Sequence, residues 1–515
     1  MPRRCRWRMI GSRALACGLA LACAPRVYAG CQPADAEPGE TQPAESRPAS
    51  DPRAELERRA LEAFSRGEHA GAEEALRTLI GIDPGNFVHY YNLACVRAAV
   101  GDADGAAELI VQAVEHGFAD LEQLRHDPNL ARAREHEIVR RLIDRWSEVL
   151  DRRIETDLAR AREEYGPKYC YERHDALRLG YACSFDEATL GEARDELAAI
   201  HAWAMEHIFS PVHPEGLARP DDPWVIVVLP NKADFARWAA ETYGPAARGY
   251  TKAIGGHYSH DEKKLVTSDL GATLRHEFMH VLHWRSNTRA RQLHPIWVQE
   301  GLCSLIEDYD VGPGGELVPV ESWRTNQARF LAETGKLPPL SALCELPRDR
   351  FTASRPLAQY AVARAVFLWL YRQGKLGEWY AHFVAHYRED PSGLASLEAV
   401  LGLSGEELDR SFREFARALP KVSEEIRAGD ASLGVEIDAT GEGEGLRVSA
   451  FVPRSHGSGL ARGDILTHVA GRPTRDYWEL VRVLTSLEPG QTVPVRYRRG
   501  GSHAETPVTL RASRE

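Results

Sequence analysis

The sequence predicts a multidomain α+β protein built in three different ways along its length. Residues 54–148 have an all-helical pattern that repeats every 34 residues. Residues 149–425 alternate strands and helices, and one apolar helical run there carries His276-Glu277-Phe278-Met279-His280. Residues 430–513 turn glycine-rich and strand-rich. A chain of 515 residues suits three or four such parts.

Charge and hydropathy narrow the function classes. A net charge of −11, with no basic block beyond the N-terminus, gives no support to nucleic-acid binding. No apolar run after the N-terminus reaches the ~18 residues a membrane-spanning helix needs. Hydrophobic content of 43% and charged content of 27% are those of globular protein.

Residues 1–30 are expected to be a signal peptide. Arg3, Arg4, Arg6, Arg8 and Arg13 form a cationic start, and Ala14 to Ala24 an apolar stretch too short to span a bilayer. Val27-Tyr28-Ala29 then offers small residues at the cleavage positions. The protein is therefore expected to be exported. Ala20-Leu21-Ala22-Cys23 and Tyr28-Ala29-Gly30-Cys31 both resemble a bacterial lipobox. An N-terminal lipid anchor in the membrane and a free periplasmic or extracellular form both stay open. Residues 31–53, rich in Pro, Ala, Glu and Ser, read as a disordered tether. Of nine cysteines, Cys5, Cys17, Cys23 and Cys31 lie in or beside the leader. Cys170 and Cys183 either pair across a short hairpin or stay as buried thiols. With no CxxC pair, a cysteine zinc site is not expected.

In 54–148, Ala60 matches Ala94, Gly67 matches Gly101, Ala72 matches Ala106 and Ala75 matches Leu109. Small residues where helices cross and glycine at the turn suit paired antiparallel helices. With Tyr91-Asn92-Leu93-Ala94-Cys95 and Gly101-Asp102, this segment resembles tetratricopeptide (TPR) repeats. The resemblance implies a groove for a peptide or protein partner, with a structural spacer as the alternative. Leu121 to Leu142 reads as a divergent closing helix pair.

From 149 onward, Ala176 to Phe185 alternates like a strand, and Asp186 to Phe209 reads as a helix capped by Asp186. Trp224 to Leu229 is a strand and Ala233 to Thr242 a helix. Tyr250 to Tyr258 and Lys264 to Thr267 form a hairpin around Ser259-His260-Asp261. Ser268 and Asp269 are the expected caps of the helix that follows.

On that helix His276 and His280, four residues apart, share a face and can bind one metal ion. Glu277 can reach a water on that ion and act as general base. His283 lies about 10.5 Å along the axis from His276, too far for both to share an ion. Pro295 starts another helix, placing Glu300 20 residues after His280 as a third metal ligand. Glu307, two turns on, is expected beside the site or exposed.

His276-Glu277-x-x-His280 followed by Trp297-Val298-Gln299-Glu300-Gly301 resembles the gluzincin metallopeptidases, most closely the exported bacterial peptidase-MA-like group. The resemblance implies a zincin α+β peptidase domain and one Zn2+ held by His276, His280 and Glu300. Glu277 would then be catalytic. Many such enzymes carry an acidic residue where Ser304 stands, to orient a ligating histidine. Ser304, Glu307 and Asp308 are the candidates for that role. Tyr360 is the candidate oxyanion donor, with a packing aromatic as its alternative, and His257 and Tyr258 as other donors. His382 and His386 read as surface or packing histidines.

In the C-terminal part, Leu433-Gly434-Val435, Gly457 to Leu466, Val469 to Pro473 and Leu487 to Gly490 fall in PDZ order. The segment resembles PDZ domains of bacterial periplasmic proteases. That implies a loop at Leu433, Gly434 and Val435 that captures a peptide carboxylate, with the peptide added as a strand beside the helix near Asp476 to Leu484. Together these readings predict an exported zinc endopeptidase with partner-binding modules. The alternative is a non-catalytic scaffold whose zinc site is structural or vestigial.

Overall fold

The computed structural model describes residues 52–215, 222–244, 255–259, 262–353, 355–438, 443–452 and 459–513. The leader, most of the tether, residues 250–254 and the His260-Asp261 turn lie outside these. The described residues form two compact units, one ending at Arg153 and the other starting at Ile154.

The first unit is entirely helical. Helices α1 (Pro52–Ser65), α2 (His69–Ile82), α3 (Phe87–Ala99) and α4 (Ala103–Glu115) pack each on the next. The second pair follows the first at the 34-residue offset, consistent with the expected repeats. Gly67 and Gly101 both turn the chain at positive φ (76° and 87°), a conformation glycine adopts without a Cβ clash. Ala60, Ala72, Ala94 and Ala106 are buried where the helices cross. The expected closing pair is broken. α5 (Leu121–His126) ends at Asp127-Pro128, two 3₁₀ turns follow, and α6 (Glu137–Asp144) comes after them. Pro128 cannot continue the helix, and Asp127 instead accepts from Asn129 N–H and Tyr91 Oη. α7 (Trp146–Tyr165) runs across the residue boundary between the units.

The second unit opens with a five-stranded sheet. Its strands are β1 (Cys170–His174), β2 (Leu179–Cys183), β3 (Trp224–Val228), β4 (Gly256–Ser259) and β5 (Lys264–Thr267), in the order β1-β2-β3-β5-β4. The strand expected over 176–185 starts later, because Asp175–Leu177 is a 3₁₀ turn and Arg178 sits at φ 46°. β2 has no solvent face. Leu179, Tyr181 and Cys183 join the main core, while Ala182 joins a second core with Phe235 and Trp238. Cys170 and Cys183 face each other in register across β1 and β2 and are free thiols.

α8 (Glu187–Ala204), extended by a π turn over Met205–Phe209, packs into the main core. α9 (Lys232–Tyr243) covers the opposite face. α10 (Ala272–Ala290) follows β5, and β4 is the strand nearest it at the sheet edge. The expected caps do not cap α10. Gly271 holds the N-cap position, Asp269 Oδ1 accepts from Gly271 N–H, and Ser268 Oγ donates to Gly255 O. Next come α11 (Ile296–Leu305), with Pro295 as its N-cap, and the hairpin β6 (Tyr309–Val311) and β7 (Leu317–Pro319).

A helical layer follows: α12 (Trp323–Glu333), α13 (Leu340–Cys344), α14 (Arg348–Ala353), α15 (Pro356–Arg372), α16 (Leu376–His386), α17 (Leu394–Leu401) and α18 (Gly405–Ala418). α11 lies tight on α15 through Gly301, where a Cβ would come 2.5 Å from Phe367 and 3.0 Å from Ala363 O.

The C-terminal part has its own core. β8 (Ala431–Ser432), β9 (Val435–Asp438), β10 (Leu446–Phe451), β11 (Ile465–Val469) and β12 (Arg472–Pro473) precede α19 (Tyr477–Thr485). β13 (Thr492–Arg499), β14 (Ser502–Thr509) and β15 (Arg511–Ala512) complete it. The sheet order is β14-β13-β11-β10-β9, so β9 is an edge. Leu480, Val483 and Leu484 seat α19 on this sheet. Among the described residues no helix is long and apolar enough to cross a membrane.

Candidate metal centre

α10 is buried along most of its length because Leu274, Phe278, Met279, Val281 and Leu282 fill the core on all sides of it. Burying the helix carries its polar face inside as well. His276 Nε2 lies 3.2 Å from His280 Nε2, and Glu300 Oε2 lies 3.2 Å from the first and 3.6 Å from the second. Ligands about 2.1 Å from a tetrahedral ion stand about 3.4 Å apart, so this triangle has the size of a one-ion site.

The surrounding groups test that fit. Among the described residues, both carboxylate oxygens of fully buried Glu277 and Nδ1 of His280 have no hydrogen-bond partner. The orphaned Glu277 carboxylate calls for a missing partner, and a water on an ion would supply one, whereas His280 Nδ1 lies on the ring edge away from Nε2 and is not reached by that ion. Burial pushes Glu277 up to about 8, reinforced by the charges of Glu300 and Glu307. Glu300 goes the other way. Burial opposes its charge, but His280 and His276 hold it well below the carboxylate range. Burial thus disfavours charge on Glu277, while the two histidines favour it on Glu300. One divalent ion fits this donor set.

Cys303 joins the group. Its Sγ and the two histidine nitrogens lie within 4.8 Å of one another, so His276, His280 and Cys303 form a possible metal-binding triad. Sequence reasoning set cysteine aside for want of a CxxC pair. The usable signal was Cys303 at i+3 from Glu300, on the same helix face.

The histidines are held differently. His276 Nδ1 bonds Glu307 Oε1 at 2.8 Å, and Arg324 donates to both oxygens of Glu307 at 2.6 and 3.0 Å. Glu307 is buried, not exposed. Ser304 Oγ turns inward and donates to Glu300 O at 2.6 Å, and Arg364 lies against Asp308. His280 instead stacks on Tyr258, ring centroids 4.4 Å apart. His283 points away and pairs with His294 at 2.8 Å. His382 bonds Ser396 and stacks on His386, with no link to the metal group.

Tyr360 sits inside α15, not at its start, and is fully buried. Burial and the Glu300 charge push its phenol well above the usual range. Its hydroxyl lies beside the Glu300 carboxylate. His257 faces α9, where Tyr243 Oη lies 2.7 Å from its Nε2.

β4 approaches α10 by its backbone. A Cβ on Gly256 would lie 2.7 Å from Glu277 Cγ and 2.8 Å from Thr273 Cγ2, and one on Gly255 would lie 2.7 Å from Thr273 Oγ1. The two glycines allow the sheet edge to lie against the general-base candidate.

In the C-terminal part, Leu433 is buried, Gly434 stands at φ 72° and Val435 starts β9 opposite Phe451. The Gly434 N–H donates to Ser432 Oγ at 3.1 Å, so this amide of the expected carboxylate loop has a local partner. Residues 420–510 match the PDZ domain family.

The C-terminal module is a PDZ domain. The chain has similar counterparts among solved structures. One is the HtrA-type protease AlgW with a decapeptide, 21% identical, covering 16% of this chain and 30% of that one, at a TM-score of 0.16. Another is the serine endoprotease from Yersinia pestis, 20% identical, covering 20% and 35%, at 0.15. An aminopeptidase N family protein from Idiomarina loihiensis is 11% identical and covers 67% of each chain at 0.26. The chain thus spans about a third of the length of the HtrA-type protease and the serine endoprotease. No curated protein matches it.

Proposed function

We propose that this chain is an exported zinc endopeptidase of the gluzincin type, with the PDZ domain and TPR-like repeats as its binding modules. One observation carries the reading: the triangle of His276, His280 and Glu300 beside a fully buried, unpartnered Glu277. A zinc ion held there would lower the pKa of a bound water towards 7 and polarise a peptide carbonyl. Glu277 would take the water proton and return it to the leaving amine. Tyr360, buried beside Glu300, would donate to the developing oxyanion. The free edge of β4 would align an extended substrate. Export, a possible lipid anchor and a partner at the repeats belong to the same proposal.

Cys303 favours a second reading. A thiolate in the fourth position would close the site and make the zinc structural, in a scaffold that binds peptides.

A peptide-library digest with metal content measured separates the two. Under the peptidase reading, wild type cleaves and Glu277→Gln keeps zinc without cleaving. Under the scaffold reading, neither cleaves and Cys303→Ala loses zinc. Cleavage by Glu277→Gln at the wild-type rate would sink the general-base assignment.

A further inference from the structure

Two buried arginines and two buried glutamates close a ring between the PDZ domain and the metal helix. Arg275, next to His276, places Nη1 3.1 Å from Glu196 Oε1 and Nη2 2.7 Å from Glu479 Oε1. The Arg475 guanidinium pairs with Glu196, and the Arg475 backbone N–H closes the ring by donating to Glu479 Oε2 at 2.7 Å. The side chains of Arg275, Glu196, Arg475 and Glu479 are 2%, 8%, 6% and 4% exposed, so the charges balance two against two out of water. Glu479 lies on α19 and Arg475 just before it. Arg475 also donates to Leu270 O at 2.9 Å, and Leu270 N–H donates to Gly443 O at 2.8 Å.

The ring bears directly on the metal group. Arg275 Nε and Nη2 donate to the backbone oxygen of Glu307 at 3.1 and 2.7 Å. Glu307 in turn holds His276 Nδ1. A chain of contacts therefore runs from Glu479 through Arg275 and Glu307 to a histidine of the site. Removing one charge from a buried ring leaves another unpaired, and the ring must move to relieve it.

We propose that the PDZ domain completes the metal centre, with Glu479 and Arg475 as positioning residues that act through Arg275 and Glu307 on His276. The inference rests on the metal-site part of the reading above. Partners that orient a ligating histidine alter metal affinity by about 10- to 100-fold when changed. Elsewhere on the same interface Arg472 pairs with Asp310, their side chains 37% and 48% exposed.

The test measures zinc affinity of the full chain by competition with a chromogenic chelator, and the visible absorption of the Co2+-loaded protein. Glu479→Gln, almost the same size, is expected to weaken zinc binding several-fold, less than the about 10- to 100-fold of a partner bonded directly to the histidine, and to change the Co2+ bands. Arg472→Ala is expected to leave both unchanged. If Glu479→Gln does not fold, Glu479→Asp keeps the charge but withdraws it from Arg275, and the same loss is expected. Folded Glu479→Gln or Glu479→Asp with wild-type zinc affinity and wild-type Co2+ bands would overturn the proposal. A wild type that binds no zinc overturns both this inference and the peptidase reading. A wild type that binds zinc but cleaves nothing overturns the peptidase reading alone.

Discussion

Glu307 Oε1 lies 2.8 Å from His276 Nδ1 and is itself gripped by the Arg324 guanidinium. The pairing sets which ring nitrogen of His276 carries the proton and which faces Glu300. Glu307→Gln keeps the shape but removes the charge that Arg324 and His276 share. It is expected to lower zinc affinity about 10- to 100-fold, read by chelator competition. Ser304→Ala, whose hydroxyl is engaged with Glu300 O, is expected to change affinity far less.

Tyr360→Phe removes only the hydroxyl beside Glu300. If that hydroxyl stabilises the oxyanion, kcat falls about 100-fold or more while KM and zinc content hold. An unchanged kcat assigns Tyr360 to packing with Phe351, its ring neighbour at 5.2 Å.

Gly256→Ala drives a methyl to within 2.7 Å of Glu277 Cγ. Strand and helix must separate, and a destabilisation of about 1–3 kcal/mol is expected from denaturant titration. A matching loss of turnover would place the effect at Glu277.

His257 gives a pH test on a residue that is not itself a proposed metal ligand, although its neighbours Gly256 and Tyr258 lie against Glu277 and His280. Burial pushes it down to about 4 from an ordinary value of 6.5. Between those values the unfolded chain binds a proton that the folded chain refuses, so His257 destabilises the protein as pH falls through that window. His257→Gln is expected to flatten the acid side of the stability profile, by at most about 1.4 kcal/mol per pH unit. Parallel profiles for wild type and variant would remove the assignment.

Local pattern accounts for what was readable. The apolar face of α10, the spacing of His276 and His280 and the glycine-rich order of the PDZ domain depend on neighbours in sequence. Charged partners do not. Arg275, Glu196, Arg324 and Glu479 each look like surface residues in sequence, and only the tertiary fold buries and pairs them. The cap of α10 was misread for a related reason. Asp269 turns back onto Gly271, and Leu270 is held by Gly443 of the PDZ domain, a contact 173 positions away. The open choice among Ser304, Glu307 and Asp308 was settled by the end of α11 at Leu305, which lets Glu307 swing towards His276.

If the proposed peptidase reading holds, the close approach of Gly256 to Glu277 has a consequence for selectivity. A substrate aligned there would meet main chain, and main chain is the same in every peptide. Under that reading, discrimination between substrates would then fall to whatever brings a peptide to the protein, and recruitment would set what is cut.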